Sequence, residues 1–204
     1  MTIKPIIYCC PICKKLYSHY ILLSGNTFGA IFYSDGFVLA PMLPNIKKLT
    51  RCNNCKNFFR MNDSNEITDE ITLEYELPPI PNITMYDYNE YLNTNSCLDL
   101  EDEIFIRTQL RYSYNHSISY IEDNKALLIN NDNLQKLINL YTCNFDKPKY
   151  LFTVAEIYRN LHNFNRSIEL FQEYKKDFAK KNEILIIDKL IEQAKQHNHK
   201  VIEL

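Results

Sequence analysis

The 204-residue sequence predicts an α+β chain, with a small antiparallel β unit first and an all-α bundle after it. Three observations predict this. Two Cys-x2-Cys pairs, in "YCCPICKK" and "TRCNNCKN", bracket a stretch that holds all 3 glycines of the chain. Within it, "SGNTF" and "YSDGF" carry dipeptides that close β-hairpins: Gly25-Asn26 for a type II′ turn and Asp35-Gly36 for type I′. Beyond residue 83 no glycine interrupts the chain, and apolar residues recur at helical spacing.

The elements follow in order. Residues 17–23, 27–33 and 37–40 are rich in aromatic and β-branched side chains, which predicts a three-stranded meander closed by "APMLP", whose prolines cannot donate to a ladder. "EITDEITLEYEL" alternates Ile71, Leu73, Tyr75 and Leu77 with Glu70, Thr72, Glu74 and Glu76, the pattern of a half-buried strand with an acidic outer face. "PPIPN" then forces an extended break, because each proline restrains itself and the residue before it. The break at residues 78–83 divides the chain into a β unit over 1–80 and a helical unit over 84–204. Thr84 and Asp87 form a capping box for a short first helix, and Ser96 precedes a second, "CLDLEDEIFIRTQLRYSYN", whose acids lie in the first turn, where they suit the helix dipole. A third helix is expected over 124–141, with Leu127, Leu134, Ile138 and Tyr141 on one stripe. Asp146 caps a fourth with Pro148 just inside it, and two more are expected at 164–180 and 183–197.

Composition bounds the function classes. A hydrophobic share of 46% and a charged share of 24% are those of a globular chain. No apolar run approaches the roughly 18 residues a membrane span needs, and "MTIKPIIYCC" lacks the apolar core and small-residue cleavage site of a leader. A cytoplasmic protein with reduced thiols and no membrane partner is expected. Outside the hairpins there is no glycine to build a phosphate loop or dinucleotide fingerprint, and neither H-E-x-x-H nor G-x-S-x-G occurs. A non-enzymatic chain without a small-molecule substrate is the expectation. Charge is segregated along the sequence: residues 1–60 carry a net +7, residues 61–105 a net −12, and the remainder +3.

The cysteines carry the strongest chemistry. Two residues between cysteines let one tight turn aim both sulfurs at one ion, and two such turns make a tetrahedral four-sulfur site from Cys10, Cys13, Cys52 and Cys55. Zinc is the default metal, although a rubredoxin-like iron site uses the same ligands. Cys9 is the alternative to Cys10, but Pro11 directly after Cys10 favours the latter. His19 is the alternative to a cysteine, though a lone histidine opening a strand reads as a packing residue. Lys14 and Lys56 stand where such knuckles usually have glycine, and a lysine forced to positive φ costs on the order of 1 kcal/mol. That is small beside the roughly 10–16 kcal/mol structural zinc can supply. Four cysteines close the coordination sphere and leave no place for an activated water, so the metal reads as structural. His197 and His199 read as a solvated tail, and Cys97 and Cys143 as buried small residues.

The stretch "LLSGNTFGAIFYSDGFVLAPMLP" between the cysteine pairs resembles the N-terminal zinc ribbon of an uncharacterised bacterial family with S-G-N-T-x-G-A, Y-S-D-G and A-P-M-L-P between its knuckles. The resemblance implies Cys10, Cys13, Cys52 and Cys55 as ligands; it implies no activity. A second likeness covers residues 148–181, "PKYLFTVAEIYRNLHNFNRSIELFQEYKKDFAKK", whose 34 residues are the length of one tetratricopeptide unit. Leu151, Val154, Ala155, Tyr158, Ser167 and Phe171 sit where that repeat places packing residues, but Ser167 replaces the usual Ala and the final Pro is missing. One tetratricopeptide-like hairpin within a bundle is expected, not a solenoid.

Two functions follow as expectations. One is a zinc-stapled interaction protein whose helical half binds a protein or peptide, with Arg107, Arg111, Tyr112 and Tyr114 as candidate lining. The other is nucleic-acid binding by Lys14, Lys15, Lys47, Lys48, Arg51, Lys56 and Arg60 around the knuckles, with Tyr17, Phe58 and Phe59 for stacking. The acidic segment opposes the second, and is expected to add to the ribbon sheet and neutralise it.

Overall fold

The computed structural model describes residues 3–43, 48–61, 66–67, 77–95, 98–117, 120 and 122–204. The chain is α+β, with short antiparallel sheets followed by six helices among the described residues. Its internal contacts divide it into two units: Met1–Ala30 with Ala40–Asp87, and Ile31–Leu39 with Tyr88–Leu204. Among the described residues no helix is long and apolar enough to cross a membrane.

The first unit is built from two knuckle hairpins. Strands β1 (Ile3–Cys9) and β2 (Leu16–Leu22) pair antiparallel around one cysteine pair, with Cys9 opposite Leu16. Later in the chain, β5 (Leu49–Arg51) and β6 (Phe58–Arg60) pair around the other, with Arg51 opposite Phe58. The free edge of β1 takes up β7 (Glu66–Ile67) through Ile7 and Tyr8, and this pairing leaves out Pro5, which has no N–H to give a neighbour. Along β2, Ser18 donates its N–H to Pro78 and accepts that of Ile80, so the proline-rich break lies in extended register beside that strand. Ile6, Tyr8, Tyr17, Phe59, Met61 and Ile80 bury themselves around Cys10 and Cys52.

The expected meander does not form. β2 turns back onto β1, its partner across the knuckle, and the next pairing is between β3 (Ile31–Phe32) and β4 (Val38–Leu39). Gly25 does not make a II′ turn. It permits a close approach of backbone: a Cβ there would lie 2.0 Å from the Met42 carbonyl oxygen, which accepts the Asn26 N–H at 3.1 Å. The Asp35-Gly36 turn does close a hairpin, but as a three-residue loop rather than type I′. Gly36 N–H bonds Tyr33 O, Tyr33 N–H bonds Phe37 O, and only Gly36 has positive φ, +90°, the pattern of a turn followed by a glycine bulge. Of the predicted acidic strand, Glu66 and Ile67 do join the sheet; residues 68–76 lie outside the described residues.

The second unit contains helices α2 (Leu100–Asn115), α3 (Asn124–Asn144), α4 (Lys147–Asn160), α5 (Phe164–Asp177) and α6 (Ile184–Lys195). The preceding α1 (Met85–Thr94) starts on the predicted capping box, Asp87 accepting from Thr84 N–H at 2.9 Å and Thr84 Oγ1 from Asp87 N–H at 3.2 Å. Asp99 caps α2 by accepting Asp102 N–H, and Asp123 caps α3 by accepting from Lys125 and Ala126. The predicted cap Ser96 lies outside the described residues, as does Cys97. Asp146 stands at the N-cap of α4 with Pro148 in its first turn, but makes no side-chain cap bond. Leu134, Leu137 and Ile138 of α3 meet Leu151, Val154 and Ile157 of α4, Leu170 and Phe171 of α5, and Ile187 and Leu190 of α6 in one core. Leu127, expected on the buried stripe, is exposed; Ala126 and Asn130 are buried instead.

The β3–β4 hairpin belongs to this helical unit, although it lies between the cysteine pairs in sequence. Polar bonds explain why. Buried Ser34 donates to Glu156 Oε1 at 2.6 Å, and Glu156 is bound twice by Arg159, whose other nitrogen donates to Lys200 O at 2.8 Å. Residues 202–204 complete the arrangement by pairing beside β3, Ser34 N–H to Ile202 O and Leu204 N–H to Phe32 O. At the hairpin tip the Asp35 carboxylate accepts from Asn115 Nδ2 at 2.8 Å and from Phe37 N–H at 3.0 Å, and meets His116 Nε2 at 3.1 Å.

Candidate metal centre

Each knuckle is shaped by the same two backbone bonds. Cys10 N–H reaches Lys15 O and Lys14 N–H returns to Cys10 O; Cys52 N–H reaches Asn57 O and Lys56 N–H returns to Cys52 O. This geometry carries the residue after the second cysteine into the left-handed region, at φ 60° for Lys14 and 61° for Lys56. The strain expected for lysine at a glycine position is therefore present.

The two knuckles bring Cys10, Cys13, Cys52 and Cys55 together, their sulfurs all within 4.8 Å of one another. Cys10 Sγ lies 3.7 Å from Cys55 Sγ, and Cys13 Sγ lies 3.5 Å from Cys52 Sγ. A tetrahedral ion with metal–sulfur bonds of about 2.3 Å spaces its sulfurs about 3.8 Å apart, so the cluster could hold a metal ion such as zinc. Cys9 stands aside, its thiol turned to the Cys10 carbonyl, and among the described residues only these four form a group of the kind that holds a metal.

The thiols are not equivalent. Cys10 and Cys52 are fully buried, whereas Cys13 and Cys55 are half-buried. Burial pushes the Cys10 thiol up to about 12. Hydrogen bonding from the Asn54 side chain and the Lys15 backbone draws Cys13 down to about 6. Burial opposes ionisation of Cys52 as well, but the Tyr17 hydroxyl and the backbone N–H groups of Cys55 and Asn54 outweigh it, so its thiol is lowered. Tyr17 lies on β2, is 1% exposed, and places its hydroxyl 3.2 Å from Cys52 Sγ while accepting Asn53 N–H at 2.9 Å. Sequence reasoning took this residue for a stacking platform. The signal that could have placed it is its position, seven residues after Cys10, as Phe59 is after Cys52.

The basic residues around the knuckles are partly committed elsewhere. Lys14, Lys15, Lys48 and Lys56 are exposed, and Lys14 Nζ donates to Pro11 O. Arg51 instead pairs with Asp87 at 2.9 Å, donates to Lys56 O and lies 4.9 Å over the Phe58 ring. Arg60 is half-buried, and Lys47 lies outside the described residues. Tyr17 and Phe59 are buried at 1% and 4% exposure, so neither offers a face for base stacking.

The candidate lining on α2 is likewise inside the helical unit. Arg107 is buried against Glu103 and the Asn133 amide, and Arg111 reaches Asp35 O and Asn160 Oδ1. Tyr112 is half-buried with its ring against Phe37, and Tyr114 is half-buried. Of the two C-terminal histidines, His197 is exposed, as expected, with its ring on Phe164 at 4.9 Å, whereas His199 is half-buried and stacks on His162 with ring centres 4.0 Å apart. Cys143 is exposed rather than buried.

Fold and site together define an α+β chain with a four-cysteine centre held between two knuckle hairpins. No family model, curated protein or solved structure matches it.

Proposed function

We propose that the four cysteines hold one structural zinc ion, and that the chain is a non-enzymatic, zinc-stapled interaction protein of the cytoplasm. The observation that carries the metal reading is the sulfur cluster, with four ligands at tetrahedral spacing on knuckles whose backbone is strained to aim them. Four thiolates complete the coordination of zinc, which leaves the ion a fold-holding role. Zinc is favoured over iron because it needs no redox partner and is the usual occupant of paired Cys-x2-Cys knuckles. The first unit has a small core, and the metal substitutes for the apolar area it lacks.

The interaction role rests on the helical unit. α4 and α5 pack as a helical hairpin joined by three residues, and Val154, Ala155, Ser167 and Phe171 lie in or beside its core, as a tetratricopeptide-like hairpin requires. Arg107 and Arg111 are held within the fold, so recognition falls to other parts of the helical surface. A protein or peptide partner would be recovered by the tagged, zinc-loaded chain from the native cytosol. Failure to enrich any specific partner over a tagged control would count against this role.

The alternative is nucleic-acid binding through the basic residues around the knuckles, of which Lys14, Lys15, Lys48 and Lys56 are exposed. Tight binding of DNA or RNA by the intact chain, weakening steeply with salt, would establish that alternative.

A further inference from the structure

The two knuckle hairpins share one backbone design, and one chemical difference between them points at the metal centre. In each, the first cysteine is followed seven positions later by a buried aromatic residue: Tyr17 after Cys10 and Phe59 after Cys52. The two rings stack on each other with centroids 6.4 Å apart at 30°. Only Tyr17 carries a hydroxyl. That hydroxyl crosses from the first hairpin to the second, where it lies 3.2 Å from Cys52 Sγ and accepts the Asn53 N–H. Since the N–H occupies an oxygen lone pair, the hydroxyl proton is left for the sulfur, and a metal-bound Cys52 thiolate can only accept. Cys10, the equivalent ligand in the other knuckle, faces no such hydroxyl, because Phe59 stands in the corresponding place.

We propose that Tyr17 is a positioning residue of the metal centre: its hydroxyl straps the second knuckle to the first hairpin and hydrogen-bonds the Cys52 thiolate. This rests on the metal reading above and adds a residue outside the ligand set. A charge-assisted O–H···S bond to a metal-bound thiolate fixes the sulfur's orientation and ties the second knuckle to the first hairpin. It adds to the bonds that the backbone N–H groups of Cys55 and Asn54 give the same sulfur.

The test is Tyr17→Phe, which makes the two hairpins alike and keeps the ring that Phe59 shows to be tolerated. Cobalt(II) serves as the probe, read by its thiolate charge-transfer and ligand-field bands, and zinc affinity is read by competition with a chromophoric chelator. We expect one cobalt per chain in both proteins, a shifted charge-transfer band in the variant, and affinity weaker by about 10- to 100-fold, the usual effect of losing an outer-shell partner. Loss of cobalt binding by a variant with unchanged helical circular dichroism would support the strap equally. Phe59→Leu is the packing control, expected to lower stability while leaving the cobalt spectrum in place. Wild-type affinity and spectrum in Tyr17→Phe would overturn the proposal, as would a Phe59→Leu variant that matches its defect. A wild-type chain that binds no metal would instead sink the reading on which the proposal rests.

Discussion

Among the described residues, four other than glycine have positive φ: Lys14, Lys56, His162 and His197, at 57° to 61°. Each stands where glycine is the common choice, two after knuckle cysteines and two just past helix ends. At the end of α4, His162 N–H bonds Arg159 O and Asn163 N–H bonds Tyr158 O; His197 and Asn198 repeat the pattern after α6. These are Schellman caps, whose C′ position needs the left-handed region. In a chain with only 3 glycines, the strain is tolerated rather than avoided. We expect His162→Gly to stabilise the protein by up to about 1 kcal/mol, the strain relieved exceeding the entropy glycine adds to the unfolded chain. Thermal unfolding should then shift upward by roughly 2–4 °C. An unchanged or lower midpoint would show that the His162–His199 stack contributes more than the strain costs. At this scale the gathering of the four cysteines was legible and the placement of the Tyr17 hydroxyl was not. Spacing encodes a shared ion, because two residues between cysteines have few geometries; a hydroxyl reaching across to another hairpin leaves no local pattern.

At the scale of elements, the β3–β4 hairpin carries the most informative polar group. Burial disfavours ionised Asp35, but the bond from His116, the charge of Arg111 and the bonds from Asn115 and Phe37 N–H more than offset this, so its carboxyl is held below the ordinary value. A carboxylate depressed in the folded state adds stability that is present above its unfolded pKa of about 3.9 and is lost as pH falls through the folded value. Denaturant unfolding from pH 6 down to pH 2 should therefore show a decline below about pH 4 that is shallower in Asp35→Asn. At pH 6 the variant should be less stable by about 1–3 kcal/mol, because the buried carboxylate's bonds with Asn115 and His116 are weakened or lost. Parallel profiles would remove Asp35 from the account of acid sensitivity. The hairpin itself was legible from Asp35-Gly36, since that dipeptide solves a local turn problem. Its placement was not, because the bonds from Ser34 to Glu156 and from Asn115 to Asp35 span 122 and 80 residues.

At the scale of the whole molecule, the two units are interleaved in sequence. The chain leaves the first at Ala30, supplies Ile31–Leu39 to the helical unit, returns at Ala40, and crosses again at Asp87. The proline break at 78–83 lies a few residues before the last of these crossings. A fragment of residues 84–204 would keep the apolar core but lack Ser34 and Asp35. It would leave Glu156, Arg159 and Arg111, all nearly fully buried, without those partners. We expect the fragment to retain helical far-ultraviolet dichroism while losing cooperative unfolding. A sharp two-state transition of wild-type midpoint would show the hairpin to be dispensable. The helices were legible in the sequence because caps and 3.6-residue periodicity are local, and most ends fell within a few residues of those expected. The expected meander was lost because β2 found its partner across the knuckle, a pairing set by the cysteine turn rather than by strand propensity.

The most direct measurement is native mass spectrometry of the intact chain purified under reducing conditions, with elemental analysis of the bound ion. It should be followed by a chelator titration and by the Cys10→Ser, Cys52→Ser double variant. We expect one zinc ion per wild-type chain, none retained by the variant, and loss of the near-ultraviolet signal of the first unit's buried Tyr8, Tyr17 and Phe59 as the chelator removes the metal. A wild-type chain that takes up no zinc when it is supplied, or a double variant that holds it as tightly, would contradict the four-cysteine centre.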